Sequence, residues 1–273
     1  MAESTEVVIE CRNLAVGYAP EEPVLEDVEI AIHRGEIAAL LGGSGSGKST
    51  LLKTLVGLLP PLGGDVRVLG ERLYDLSDVG RAELLRRTGM LFQYGALFGS
   101  RSILDNVSLP LREHTSLPEP VIREMVRQKL ALVGIEGLES RLPADVSGGQ
   151  RKRVALARAA IMDPEIIFCD EPSAGLDPVV AAGLDRTLRR LQELFGMTMV
   201  AVTHELESIK TLADRVIMLA SGRVQAIGTV AELSGREDLP EVYRFFHRIP
   251  PEPAGVSNSS LLASLGDGDQ EGG

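Results

Sequence analysis

An apolar run, Glu36–Leu41, breaks into Gly42-Gly43-Ser44-Gly45-Ser46-Gly47-Lys48-Ser49, and helical apolar periodicity starts at Lys48 and continues to about Leu58. A strand that passes into a helix through this loop has few ways to fold. The spacing is G-x-x-x-x-G-K-[ST], in the strand–loop–helix setting that such a loop needs to wrap phosphates. Glycines let the main chain close around phosphate oxygens, while successive N–H groups and the helix N-terminus supply positive potential. Lys48 would reach the β- and γ-phosphates, Ser49 would place a hydroxyl on Mg²⁺, and Thr50 would reach the α-phosphate. The bland alternative is a glycine-rich turn before a core helix. Lys48-Ser49 in register weighs against it.

A second strand fits the same site. Ile166-Ile167-Phe168-Cys169 is a buried-type run ending in Asp170-Glu171. In a parallel sheet the C-terminal ends of strands face the ligand crevice. Asp170 would hold Mg²⁺ through water, and Glu171 would orient and polarise water for in-line attack on phosphorus. Around these two strands the pattern alternates: strands at Val7–Cys11, Val28–Ile32, Val66–Leu69 and Gly89–Phe92, then helix to about Met162, helix Val179–Phe195, strand Met197–Val202, helix Glu205–Leu212, strand Arg215–Leu219. This predicts an α/β fold with a mainly parallel sheet covered on both faces. Gly63-Gly64-Asp65 reads as a turn, Gly222 as a hairpin turn into Val224–Ile227, and Glu241–His247 as a last helix. From Ile103 to Val133 the period is helical, interrupted near Leu117-Pro118, and reads as an inserted helical subdomain. The expected division is a nucleotide-binding domain over 1–249, its helical arm over about 94–162, and an unstructured Gly/Ser/Asp/Pro-rich tail over 250–273.

Composition narrows the partners. Twenty-eight basic against 39 acidic residues give a net charge of −11, which argues against nucleic acid and against autonomous binding to an anionic membrane. Aromatic residues are 4% with no Trp, too few for a base-stacking platform. No apolar run approaches the ~20 residues of a membrane span. Two cysteines, Cys11 and Cys169, offer neither metal spacing nor a disulfide framework.

Val146-Ser147-Gly148-Gly149-Gln150 precedes a helical stretch, Arg151–Ile161. Alone it is a helix-start turn. Placed before the Asp170-Glu171 strand and after the phosphate loop, it makes the chain resemble the nucleotide-binding subunit of ABC (ATP-binding cassette) transporters from about Val7 to Ile227. The resemblance implies a P-loop NTPase cassette: a mainly parallel core sheet, an antiparallel β subdomain and an inserted α-helical subdomain. It implies ATP and Mg²⁺ as ligands. It also implies that Tyr18 stacks on adenine and that Gln93 senses Mg²⁺ and the γ-phosphate. Ser147, Gly148, Gly149 and Gln150 would form a signature facing the other protomer's γ-phosphate. Asp177 would stand at the dimer interface, and His204 would bond the γ-phosphate. ATP would then lie between two chains, head to tail, in a symmetric homodimer. Each residue also has a plainer reading: Tyr18 a loop aromatic, Gln93 a strand-end polar residue, His204 a structural histidine. Val146 stands where the family usually has leucine, and Glu205 where aspartate is common. Neither change removes a catalytic group, so an active ATPase is expected.

Leu91–Phe98 and Asn106–Thr115 look like the corresponding segments of ATPases of MCE-associated lipid transporters, the Mla and Mkl type. That resemblance implies phospholipid transport, an integral membrane permease of the MlaE type, an MCE-domain protein, in some members a small STAS-domain subunit, and a location on the cytoplasmic face of the inner membrane. Simple packing of the helical arm is the alternative for these segments. Another cargo, or a soluble ABC protein acting on DNA or ribosomes, is the rival reading. The single cassette and the acidic balance count against the last.

Overall fold

Ile166, Ile167, Phe168 and Cys169 are all buried. Successive side chains of a strand point to opposite faces, so four buried in a row require cover on both sides. The computed structural model describes residues 6–250 and shows what the covers are. The elements run β1 (Val7–Ala19), β2 (Glu22–His33), β3 (Ile37–Leu41), α1 (Lys48–Leu55), β4 (Gly63–Val68), β5 (Glu71–Arg72), α2 (Asp78–Leu85), β6 (Thr88–Leu91), α3 (Ile103–His114) and α4 (Glu119–Leu132). After a 3-10 turn at Pro143–Asp145 come α5 (Gly148–Ala159), β7 (Ile166–Asp170), α6 (Pro178–Phe195), β8 (Thr198–Val202), α7 (Leu206–Leu212), β9 (Arg215–Ala220), β10 (Arg223–Gly228), α8 (Val230–Ser234) and α9 (Pro240–His247).

Six strands form the central sheet in the order β10-β9-β3-β8-β7-β6, parallel except for the β10 edge. Four form an antiparallel sheet in the order β2-β1-β4-β5. Ile166, Phe168, Val200 and Val202 pack toward the antiparallel sheet and α1, alongside Leu51, Leu55 and Val66. Ile167, Cys169, Met199 and Ala201 face the other way, onto the helices, alongside Leu156, Leu184 and Leu188. Ala39 and Leu41 join a third cluster with Ile209 and Phe246. The α/β class, the mainly parallel sheet, the antiparallel sheet and the helical insertion are as expected from the sequence. Among the described residues no helix is long and apolar enough to cross a membrane.

Three local readings change. Gly63-Gly64-Asp65 is the bulged start of β4 rather than a turn: Asp65 pairs with Arg12 and Gly63 with Ala15. Gly64 has φ +80, and a Cβ there would lie 2.2 Å from the Asn13 carbonyl oxygen, so glycine lets the two strands approach. β1 and β2 run about twice as far as their unbroken apolar pattern, because register shifts and the positive φ of Asn13 and Asp27 interrupt the alternation. α2 was absent from the sequence pattern because only Leu84 of its eight residues is buried. The expected tail, Pro250 apart, lies outside the described residues.

Both cysteines are buried, Cys11 on the inner face of the antiparallel sheet and Cys169 under the helices. Burial pushes both thiols up to about 12, so neither supplies a thiolate at neutral pH.

Candidate active site

β3 ends at Leu41 and the chain turns through Gly42–Gly47 into α1. Gly47, at φ +95, is the residue before the helix. A Cβ there would lie 2.7 Å from Leu25. Helices α2, α3, α5, α6 and α8 begin with a Ser, Thr or Asp side chain accepting from their own N–H groups. α1 has no such cap and no acid in its first turn. Its leading N–H groups therefore remain for an anion, with the helix dipole behind them. Lys48 is buried at the loop mouth. Its Nζ donates to Gly42 O at 2.9 Å, to Gly43 O at 2.7 Å and to Ser46 Oγ at 3.3 Å. Burial holds its ammonium below the usual lysine range, while Glu171 and Asp170 act the other way. Ser49 is exposed one residue on, and Thr50 is buried. Gly43, Ser44 and Gly45 are exposed along the loop.

Asp170 ends β7, and burial together with its neighbour Glu171 raises its carboxyl above the usual range. A cation beside the Asp170 carboxylate would offset that burial and the neighbouring charge. Among the described residues no group of three or more His, Cys, Asp or Glu could hold a metal. A divalent ion would therefore draw on Ser49, Asp170 and nucleotide phosphates, which fits a phosphate-bound Mg²⁺.

Three residues far apart in sequence meet at Glu171. Gln93 Nε2 donates to Glu171 Oε2 at 3.0 Å, and His204 Nδ1 lies 3.0 Å from Glu171 Oε1. Gln93 follows β6, Glu171 follows β7 and His204 follows β8, three adjacent parallel strands opening at the same end. Glu171 has φ +45, a left-handed main chain that a glutamate adopts at a cost of about 1–3 kcal/mol. Each carboxylate oxygen keeps a second lone pair for a water.

The remaining expected site residues lie elsewhere. Ser147 caps α5, accepting from Gln150 N at 3.2 Å, and Gln150 Oε1 accepts from Ser147 N at 2.9 Å. This capping box uses the N–H groups of Ser147 and Gln150; those of Gly148 and Gly149 are not part of it. Asp177 caps α6 through Val179 N and Val180 N. The two caps abut: a Cβ on Gly149 would lie 2.4 Å from Val180 Cγ1. Gly149→Ala is therefore expected to lower stability by about 1–3 kcal/mol by overpacking, with Val180→Ala in the same chain restoring most of it. Urea unfolding of the three chains checks this. Tyr18 is exposed on β1, and Lys53 Nζ donates to its hydroxyl at 3.1 Å.

The sequence pattern gave no hint of a buried polar link behind this site. Ser173 Oγ donates to Asp185 Oδ1 at 3.0 Å and lies 3.2 Å from Ser208 Oγ. It joins the loop after Glu171 to α6 and to α7. Burial raises the Asp185 carboxyl, against the hydrogen bonds from Ser208 and Ser173. The folded chain thus keeps a proton that the unfolded chain releases near its ordinary value of about 3.9. Stability from this group falls as pH rises from there through the folded value, then levels. Asp185→Asn should lack that fall and gain on the wild type as pH rises. Unfolding midpoints of both chains between pH 4 and pH 8 test it.

The profile of the ABC transporter family matches residues 25–174, which hold the phosphate loop, the Gln93 strand, the Ser147 turn and Asp170-Glu171. The chain belongs to the ABC transporter family. It is an ABC ATPase subunit. It is 40% identical over 261 residues to the probable ribonucleotide transport ATP-binding protein mkl of Mycobacterium tuberculosis, covering 96% of this chain and 72% of that one. It is 39% identical over 232 residues to the intermembrane phospholipid transport system ATP-binding protein MlaF of Haemophilus influenzae, covering 85% and 88%. Among solved structures it is similar to the ATP-binding cassette MJ0796 in a dimeric post-hydrolysis state bound to ADP and Pi, at 30% identity and a TM-score of 0.74, covering 81% and 98%. This ABC ATPase therefore shares its family's cassette, with the phosphate loop and the Glu171 cluster at one end of its central sheet.

Proposed function

We propose that two copies of this chain close on two ATP molecules and hydrolyse them to drive a membrane permease that moves phospholipid. The meeting of Gln93 and His204 on the Glu171 carboxylate carries the hydrolytic reading. Phosphates would lie in the Gly42–Ser49 loop on the bare N-terminus of α1, with Lys48 on the β- and γ-oxygens and Thr50 beneath. Tyr18 would stack on adenine. Mg²⁺, held by Ser49 and Asp170 with Gln93 nearby, would neutralise charge on the phosphate oxygens. Glu171 would take a proton from water as the new bond to the γ-phosphorus forms and the bond to the β–γ bridging oxygen breaks. Gln93 and His204 hold both carboxylate oxygens, which fixes the direction of that base. Ser147, Gly148 and Gly149 would meet the γ-phosphate of the partner chain, with Gln150 keeping Ser147 in place and Asp177 beside the contact.

A groove of about 590 Å³ lies between β6 and α3, with Leu85, Met90, Phe92, Phe98, Leu109 and Pro110 on its walls. Its apolar lining suits a permease helix at the cytoplasmic face of the inner membrane. Similarity to MlaF over most of the chain supports phospholipid as cargo. The companions in this reading, an MlaE-like permease, an MCE-domain protein and, as in some members, a STAS-domain subunit, rest on the resemblance of Leu91–Phe98 and Asn106–Thr115. The mycobacterial relatives, named as probable ribonucleotide transport ATP-binding proteins, favour a second cargo, ribonucleotides. Tagging this chain, solubilising membranes gently and identifying co-purifying proteins and small molecules by mass spectrometry separates the two. An MCE protein with bound phospholipid supports the first reading. A different permease, or a co-purifying ribonucleotide other than ATP or ADP with no phospholipid, overturns it.

A further inference from the structure

Lys152 lies in the second turn of α5 and is buried at 7% exposure. Its Nζ donates to the main-chain carbonyl of Gln93 and, at 3.1 Å, to that of Glu171. These are the two residues whose side chains meet over the catalytic carboxylate. Their strands are neighbours, Leu91 pairing with Cys169, so one ammonium spans the open ends of β6 and β7. A lysine ammonium is a compact three-proton donor, and two of its protons are used here on carbonyls at the ends of strands. Desolvation opposes its charge, and Glu171 and Asp170 support it. The link matters more at Glu171 than at an ordinary residue, because that main chain is left-handed and needs outside restraint.

We propose that Lys152 is a positioning residue for hydrolysis, fixing Gln93 and Glu171 through their carbonyls from the helix that Ser147 begins. The inference rests on the hydrolytic reading above. Lys152 stands five positions after Ser147, about 7.5 Å along the helix. A shift of the turn at Ser147, the surface proposed to meet the partner's nucleotide, is therefore carried by one rigid helix to the base of the chain's own site. Contact made for one ATP thereby aligns the carboxylate that serves the other.

The test uses the full chain in its membrane complex, purified through a tag on this chain. Steady-state ATPase, ATP affinity by calorimetry and the unfolding midpoint are measured for wild type, Lys152→Met and Lys152→Gln. Methionine keeps the length and removes every donor; glutamine keeps an uncharged donor. The expected result is a 10- to 100-fold fall in kcat for Lys152→Met, ATP affinity and KM within about threefold of wild type, an unfolding midpoint lowered at most modestly, and an intermediate kcat for Lys152→Gln. Removing the buried ammonium relieves its desolvation while two carbonyls lose a donor, so the two effects on stability oppose each other. Should Lys152→Met fail to fold, Lys152→Gln decides: reduced kcat at unchanged affinity upholds the proposal, and an unchanged kcat overturns it. Wild-type kcat in Lys152→Met, or a joint loss of affinity and midpoint as expected of a mere prop, also overturns it. A wild-type complex that hydrolyses no ATP overturns the hydrolytic reading and this inference together, whereas wild-type hydrolysis that survives Lys152→Met overturns this inference alone.

Discussion

Glu171→Gln is expected to bind ATP as wild type does and to turn over about 10²–10⁴-fold more slowly, the range a positioned general base contributes. The geometry explains why the loss should fall on chemistry alone. A glutamine at 171 can accept from Gln93 Nε2 through its carbonyl oxygen and donate its amide to His204 Nδ1 once the imidazole carries its proton on Nε2, so both 3.0 Å contacts can be kept. The left-handed main chain is unchanged, because the substitution leaves the Cβ in place. What disappears is the ability to accept a proton from water. Equilibrium ATP binding beside single-turnover hydrolysis checks both halves. Turnover near the wild-type rate would remove Glu171 from the catalytic role.

Lys48→Ala should act on the earlier step. Lys48 Nζ reaches two loop carbonyls and a serine hydroxyl, which places an ammonium at the mouth of the loop. Charge-assisted hydrogen bonds to phosphate are worth about 1.5–3 kcal/mol each. Losing one or two should weaken ATP binding by roughly 2–4 kcal/mol, about 30- to 1,000-fold. Calorimetric titration with ATP measures it. Unchanged affinity would mean that the loop does not hold phosphate.

The parts legible in the sequence are those set by local rules. The phosphate loop is contiguous, so spacing alone exposes it. β3, β7 and β8 read clearly because two-sided burial makes them unbroken apolar runs. α2 and the far ends of β1 and β2 did not read, since one buried leucine, or an alternation broken by bulges, leaves no period to find. The site divides in the same way. Gln93 and His204 stand 78 and 33 residues from Glu171, and only the family resemblance suggested a common place for them. Lys152 escaped because a lysine in a basic helix looks like a solvated face. Its partners are carbonyls, which no side-chain motif records. The Asp185–Ser173–Ser208 link was hidden for a different reason: its side chains come from a loop, α6 and α7, and none has an unusual neighbour in sequence.

The inaccessibility of both thiols gives the chain a silent background for chemistry at chosen points. A cysteine introduced at Val179, which is 78% exposed beside the α6 cap, would be the one thiol open to a maleimide, with no native cysteine to remove first. Two copies carrying a spin label there would report their separation before and after ATP, turning the closure proposed for the pair into a distance read directly in solution.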